Sequence, residues 1–297
     1  MASPVQKVKS KDLKAMLNSK KRQTRLLGEV EKHMLTRPLD LSRSRDILHP
    51  SEVIQEDWCA RAAYFQVKAV RDGAQFIPDR PALRLQSIFD EGHMIHDKWQ
   101  SYFKEMGVLY GKYERRDNEW NSGETYIGLP QSPYDVYKEF TLKDEEHILV
   151  GHTDGWIVGI GDDCLIELKS IGSGTIRHAA PGLLYEADGD LEKAFAAIRR
   201  PFSQHRKQGM FYLHLAHLME AKGLLERPAP NEIVFIYECK ANQAYKEFVV
   251  AYDPESVADL FDLCRDIARG LDNDRAPGCS IDPQNGCTKC AAYEEGK

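Results

Sequence analysis

The run HILVGHTDGWIVGIGDDCLIELKSI, from His147 to Ile171, constrains the fold more than any other part of the chain. It holds two or three β-like segments rich in Ile, Val and Leu, with a turn cluster of Gly159, Gly161, Asp162 and Asp163 between them. This predicts a strand, a tight turn and a second strand. Side chains alternate along a strand, so Glu167 and Lys169 share one face while Ile166 and Leu168 enter a core. An antiparallel partner across the turn brings Asp154 near Glu167. Two carboxylates and an ammonium then converge on one face of a sheet.

The surrounding sequence reads as an α/β core with helical additions. Residues 1–45 are polar and basic, with helix-forming stretches at Lys11–Leu17 and Arg25–Met34. Residues 51–70 read as one helix with Ser51 as N-cap. Residues 83–105 read as another, with Leu85, Ile88, Phe89 and Ile95 at helical spacing. Residues 190–199 and 201–223 are helical in pattern, the second opening at Pro201 and closing near Gly223. Two strands, NEIVFIYECK and KEFVVAY, follow. Asp253 is then expected to cap a helix with Pro254 in its first position, running to about Gly270. The stretch from Asn273 to Lys297 is polar and rich in Cys, Gly and Pro.

Charge is unevenly spread. The chain has 297 residues and a net charge of -6, but residues 1–46 hold twelve Lys or Arg against five Asp or Glu. Residues 251–297 reverse that, with five against ten. A basic arm on an acidic body is compatible with phosphate contacts, and equally with a solvated arm. No apolar run approaches the roughly 18 residues that span a membrane, and no signal-peptide core is present, so a cytoplasmic location is expected. No G-x-x-x-x-G-K-[ST] loop appears, which excludes a P-loop motor within the chain.

The carboxylate–lysine group suits phosphodiester hydrolysis. Two carboxylates hold Mg²⁺ or Mn²⁺ through oxygen ligands. Such an ion binds a phosphate oxygen and activates water. A nearby lysine orients that water or stabilises transition-state charge. Taken alone, Glu-x-Lys reads as a surface ion pair. Among the histidines, His96 is the foremost ligand candidate, on a helix upstream of the carboxylates, and His152, adjacent to Asp154, is the runner-up. Gln208 and Tyr212 are i,i+4 neighbours on one helix face. Arg206 and Lys207 on the same helix offer phosphate contacts or a solvated face.

Gly151-His152-Thr153-Asp154 followed by Glu167-Leu168-Lys169 resembles the GxxD…ExK core of the PD-(D/E)XK nuclease superfamily. Gly92-His93-Met94-Ile95-His96 resembles the upstream G-x-x-x-H motif of its RecB-like branch, and Gln208 with Tyr212 its downstream Q-x-x-x-Y motif. Cys59-Ala-Arg61-Ala-Ala-Tyr64-Phe65 resembles the N-terminal helix of the CRISPR-associated single-domain iron–sulfur exonucleases and their phage relatives. Ser170 stands where the superfamily often has Thr. The resemblance implies a restriction-endonuclease-like α/β core, a mixed central sheet flanked by helices, with helical N-terminal additions and a Cys-rich, metal-bound C-terminal tail. It implies a basic helical arm at 1–50 and a nuclease domain at 51–297. It makes Asp154, Glu167 and Lys169 catalytic and puts the divalent ion on His96, Asp154, Glu167 and the Leu168 backbone carbonyl. It turns Gln208, Tyr212 and Arg61 toward nucleic acid.

The chain has seven cysteines, an odd number, and disulfides are not expected. Cys164, Cys239 and Cys264 lie in strand- or helix-like runs and read as small buried residues. Cys279, Cys287 and Cys290 form a metal-binding pattern, since Cys-x-x-Cys holds two thiolates at ligand distance. Gly278 and Gly286 each precede one of them, where backbone freedom helps wrap a metal. By the resemblance, Cys59 supplies the fourth thiolate and the four hold a structural [4Fe–4S] cluster joining residue 59 to 279–290. A structural Zn²⁺ on the same thiolates is the alternative.

Three functions remain open on this reading. The first is a divalent-metal-dependent DNA exonuclease of recombination, repair or processing. It would act on single strands or duplex ends, with a separate helicase or recombination protein as partner and a homo-oligomer as one option. The second is a catalytically silent nucleic-acid-binding or assembly module of the same fold. The third is an unrelated metal-thiolate protein.

Overall fold

The computed structural model describes residues 25–294 apart from 40, 42, 78 and 119–122. Residues Met1–Arg43 and Ile77–Asp90 group into one compact unit, and Ser44–Phe76 with Glu91–Lys297 into the other. The smaller unit contains α1 (Arg25–Thr36), in the stretch expected to be helical; the expected Lys11–Leu17 helix, like most of the basic arm, lies outside the described residues. Leu85, Ile88 and Phe89, read as an apolar helix face, are exposed, whereas Ile95 is buried.

The larger unit opens with α2 (Pro50–Val53) and α3 (Ala60–Arg71). The single helix expected over 51–70 is therefore two. Pro50 occupies the first turn behind His49, and Ser51 is not the cap. A helix α4 (Leu83–Glu105) follows, as its periodicity predicts. Next come β1 (Leu109–Glu114), β2 (Thr125–Gly128), β3 (Val136–Lys138) and β4 (Phe140–Asp144), none foreseen from sequence. The central run gives β5 (Leu149–Thr153), β6 (Gly155–Ile157) and β7 (Cys164–Ile171). Four helices follow: α5 (Ser173–Ala179), α6 (Pro181–Glu186), α7 (Leu191–Ala197) and α8 (Ser203–Ala221). The chain ends with β8 (Glu232–Cys239), β9 (Tyr245–Ala251), α9 (Ala258–Asp272) and α10 (Thr288–Glu294). Pro254–Ser256 forms a separate 3₁₀ turn before α9, so Asp253 makes no side-chain cap and the expected helix starts four residues late.

Among the described residues, seven strands form one sheet in the order β2-β1-β6-β7-β8-β9, with β3 also paired to β1. β7 and β8 are parallel and the other pairs antiparallel. A parallel pair requires a long crossover, and helices α5–α8 supply it. β4 and β5 form a separate hairpin. β7 is buried along most of its length, as a strand covered on both faces must be. The core holds Trp156, Tyr113, Tyr237, Phe211, Phe235 and Phe261, all fully buried. α8 is buried from Gly209 to Leu213 and again at Leu215, Ala216 and Met219. A Cβ on Gly209 would lie 2.6 Å from the Phe235 ring, so this helix approaches β8 as closely as it does only with glycine there.

Asp135 locks the segment that leads from β2 into β3. Its carboxylate is buried and accepts from the Tyr126 hydroxyl at 2.6 Å and from the amides of Gln131, Ser132 and Arg116 at 2.8–3.0 Å. Burial works against the charge, but these donors outweigh it and bring the pKa down to about 2. A depressed carboxyl adds stability that is present above its unfolded value and lost as pH falls through the folded one. Asp135→Ala should therefore cost about 3 kcal/mol at neutral pH. The deficit should shrink between about pH 4 and pH 2 in paired urea titrations. An unchanged midpoint at pH 7 would show the network to be energetically idle.

Candidate active site

The site forms where β5 passes into β6. The chain bends at Asp154 as it leaves the β4–β5 hairpin and joins the larger sheet. β6 pairs with β7 in the register Gly155↔Ile166, which sets Asp154 opposite Glu167, as the hairpin argument requires. The pairing is closed by side chains. Asp154 Oδ2 accepts from the Leu168 amide at 2.6 Å, and the Thr153 hydroxyl donates to the Ile166 carbonyl at 3.2 Å. The N–H and C=O of one strand residue face the same neighbour, so the Leu168 carbonyl lies on the edge that Asp154 occupies. Gly151 is needed one turn earlier: a Cβ there would stand 2.8 Å from the Tyr212 ring and 3.0 Å from Pro50.

Glu167 is 1% exposed. Its Oε1 accepts from Lys169 Nζ at 2.5 Å, and its Oε2 is buried with no protein partner. A buried acceptor left unpaired costs free energy, and in a native fold such an atom calls for an explanation. Burial and then the charge of Asp154 push Glu167 up to about 7. Burial works to neutralise Lys169, but Glu167 and Asp154 outweigh it and hold the ammonium charged. His96, on α4, brings Nδ1 to 3.3 Å from Asp154 Oδ1. Burial disfavours its charged form, yet the hydrogen bond and charge of Asp154 leave its pKa raised. His152 instead faces outward on β5, its ring 3.3 Å from the Thr141 hydroxyl.

Gln208 also joins the group, its Oε1 accepting from Lys169 at 3.2 Å and its Nε2 donating to the Tyr212 hydroxyl at 2.8 Å. Tyr212 is 5% exposed. Its ring cannot stack on a base, which corrects the strand-binding role expected of it. It braces Gln208, which braces Lys169. Arg61 stands apart from this group. It donates to the Pro277 carbonyl at 3.1 Å and lies over the Phe65 ring, at the cysteine end of the fold. Arg206 faces Asp253 at 3.6 Å.

The sequence reading missed Glu139. It lies between β3 and β4, and its ligand oxygen stands within 4.8 Å of ligand atoms on both His96 and Asp154. As a residue it is exposed, but its carboxyl end is crowded by the site. Burial of that end, then the charge of Asp154, push it up to about 7, although a hydrogen bond from Gln100 acts the other way. No spacing links residue 139 to residue 154; the β4–β5 pairing, which sets Phe140 beside Thr153, does so.

The four cysteines form a second centre. The sulfurs of Cys59, Cys279, Cys287 and Cys290 all lie within 4.8 Å of one another, with Cys59–Cys279 at 3.7 Å and Cys287–Cys290 at 3.8 Å. The amides of Asp282 and Cys287 point at the Cys279 and Cys290 sulfurs, each at 3.3 Å. Burial raises Cys59 to about 12, while backbone N–H groups of Asp282 and Ile281 overcome burial and bring Cys279 to about 6. Gly286 has φ +75°, a left-handed conformation that lets the loop fold back on Cys290. Around the sulfurs, Ser280 caps the Ala60 amide at 3.0 Å, Lys289 meets Asp57 at 2.6 Å and Tyr293 stacks on Phe65. Cys164, Cys239 and Cys264 are buried elsewhere as small core residues.

A mixed sheet flanked by helices, a buried carboxylate–lysine group and a four-thiolate cluster together define a nuclease-like α/β fold with two metal-binding groups. No family model and no curated protein matches the chain. Solved structures that it resembles include that of SSO0001, with 13% identity over 83% of this chain and 85% of that one, at a TM-score of 0.37. Another is the alkaline exonuclease LHK-Exo from Laribacter hongkongensis, with 12% identity over 77% of this chain and 89% of that one, at 0.39. The same exonuclease in complex with dAMP gives 14% identity and 0.40 over the same shares.

Proposed function

We propose that the chain is a divalent-metal-dependent nuclease that hydrolyses phosphodiester bonds in DNA, working from strand ends. The observation that carries this reading is the unpartnered, buried Glu167 Oε2 beside Asp154 and the Lys169 ammonium. Such an oxygen suits a cation ligand: it is desolvated, pre-aimed and paired to nothing else. Asp154, Glu167, His96 and the Leu168 carbonyl would hold the ion, which supplies charge to a phosphate oxygen and acidity to an attacking water. Lys169, locked by Glu167 and Gln208, orients that water and offsets charge developing on the phosphate. Tyr212 and Gln208 keep the ammonium in place, and the low exposure of Glu167 and Asp154 excludes bulk water.

The test is cleavage of end-labelled single- and double-stranded DNA in Mn²⁺ or Mg²⁺, with chelator as control. Loss of cleavage in Glu167→Gln and Lys169→Ala supports the reading. No cleavage of either substrate by protein with its thiolate metal intact would transfer the assignment to a nucleic-acid-binding module.

The raised carboxyls predict a pH dependence. Glu139 and Glu167 hold protons in the folded, metal-free protein up to about pH 7. The folded state then binds more protons than the unfolded, so metal-free stability falls as pH rises from about 4.5 toward 7. Ligands must deprotonate to bind metal. Mn²⁺ at about 100 times its Kd should add roughly 2.7 kcal/mol. This amounts to a shift of about 5–10 °C in melting temperature at pH 8, shrinking toward zero by about pH 5. A shift independent of pH would count against Glu139 and Glu167 as ligands.

The thiolates are proposed as a structural metal centre. Metal–sulfur bonds of about 2.3 Å in a tetrahedron set sulfurs about 3.8 Å apart, and the closest pairs here are at 3.7 and 3.8 Å. A four-iron cluster has one thiolate on each of four separate irons, so it requires a wider spread. The spacing therefore favours one Zn²⁺ over the cluster that the resemblance implies. Metal analysis and the visible absorption of freshly purified protein decide between them.

A further inference from the structure

We infer that the pocket holds two divalent cations rather than one, and that Glu139 is the carboxylate that makes the second site, shared with His96 and bridged through Asp154. The inference rests on the nuclease reading and deepens it. The donor atoms divide by position. His96, Glu139 and Asp154 place one ligand atom each within 4.8 Å of the others, and Glu167 is not in that group. Glu167 stands on the other side of Asp154, on β7, next to Lys169. The two oxygens of Asp154 face different neighbours: Oδ1 faces His96 at 3.3 Å, and Oδ2 receives the Leu168 amide at 2.6 Å. One carboxylate thus lies between two sets of donors, the arrangement by which paired cations about 3.5–4 Å apart are bridged.

Two further observations point to cations rather than to an acidic cluster held by its own hydrogen bonds. Glu167 is 1% exposed and its Oε2 has no partner. His96 and Asp154 are held from behind by backbone and amide contacts that leave the facing atoms free to ligate: Gln100 donates to the Asp154 carbonyl at 2.8 Å, and the Tyr137 hydroxyl to the same oxygen at 3.4 Å. Opposed ligands of an octahedral Mg²⁺ stand about 4.2 Å apart, so a small side-chain rotation closes the His96–Glu139–Asp154 group on one ion. Charge orders the two sites. Glu139, Asp154 and Glu167 carry three formal negative charges against the single positive charge of Lys169. One divalent cation neutralises that balance. The second adds positive charge that an incoming phosphate compensates, so it should bind tightly only together with the nucleic acid strand.

The experiment is a Mn²⁺ titration followed by electron paramagnetic resonance and calorimetry, on wild-type protein and Glu139→Gln. Each is examined alone and with an uncleavable phosphorothioate oligonucleotide, beside a DNA cleavage assay. The expected wild-type result is two Mn²⁺ per chain with the oligonucleotide, showing magnetic coupling between neighbouring ions. Glu139→Gln should retain one, lose the coupling and weaken the second binding step at least tenfold. Its melting temperature without metal should not fall, because the residue is exposed and the replacement has the same shape. Two coupled ions in Glu139→Gln, or one ion in a wild-type protein that cleaves DNA, would overturn the second site and leave the nuclease reading standing. A wild-type protein that binds no Mn²⁺ and cleaves nothing would sink both.

Discussion

Glu167→Gln should reduce metal-dependent DNA cleavage by a factor of about 10³ or more while leaving the chain folded. The loss reflects the several kcal/mol of charge stabilisation that a carboxylate-held cation supplies, at about 1.4 kcal/mol per tenfold. The replacement keeps an amide oxygen where Oε1 accepts from Lys169, so the ammonium does not become an unpaired buried charge. It also removes the repulsion with Asp154 that holds the acid near 7. Metal-free Glu167→Gln should therefore melt no lower than wild type above about pH 7. Glu167→Ala removes the partner of Lys169, 2.5 Å away, and should cost about 3–5 kcal/mol in addition to activity. Lys169→Ala should lower cleavage about 10²- to 10³-fold, the range for deleting one pre-aimed donor. Undiminished cleavage by Glu167→Gln under these conditions would remove the site from the reaction.

Replacing Cys59 or Cys290 by serine should have the largest effect on stability. The centre ties Cys59 to Cys279, 220 residues further on, and so closes nearly the whole larger unit into a loop. By chain entropy a cross-link across such a loop stabilises by about 5 kcal/mol. At roughly 2–4 °C per kcal/mol, the melting temperature should fall by about 10–20 °C. Chelation should do the same to the wild type and nothing further to the variants. Cys264→Ser changes a buried sulfur outside the centre and should leave bound metal unchanged, which separates loss of the centre from loss of packing. Equal metal content in Cys59→Ser and wild type would show that residue 59 is not a ligand.

Local patterns announced themselves where chemistry and period coincide. The His147–Ile171 run carries its turn, its alternation and its carboxylates within a span short enough for a hairpin, so the Asp154–Glu167 pairing was readable from spacing alone. The helix at 83–105 and strands β8 and β9 were readable from apolar period and boundary residues. The cysteines were readable as ligands by their clustering. Strands β1 to β4 were not, because their short runs pair across distances that no local pattern encodes. Pro50 and Pro254 each read as helix starts but head only a short turn, because the chain must redirect before α3 and α9 to reach its packing partners.

The sequence by itself determined which residues could do metal and phosphate chemistry: Asp154, Glu167 and Lys169 at strand spacing, and four thiols at two ends of the chain. Only the tertiary structure decided how they are used. It buried Tyr212 behind Gln208 instead of offering it to a base, because α8 runs through the core and has no solvent face at that position. It chose His96 over the adjacent His152, because alternation along β5 turns His152 away while α4 carries His96 across to Asp154. It added Glu139, because pairing β4 with β5 sets residue 139 beside the bend at 154. Contacts of this kind depend on which surfaces meet, which is a property of the packed fold rather than of any window along the chain.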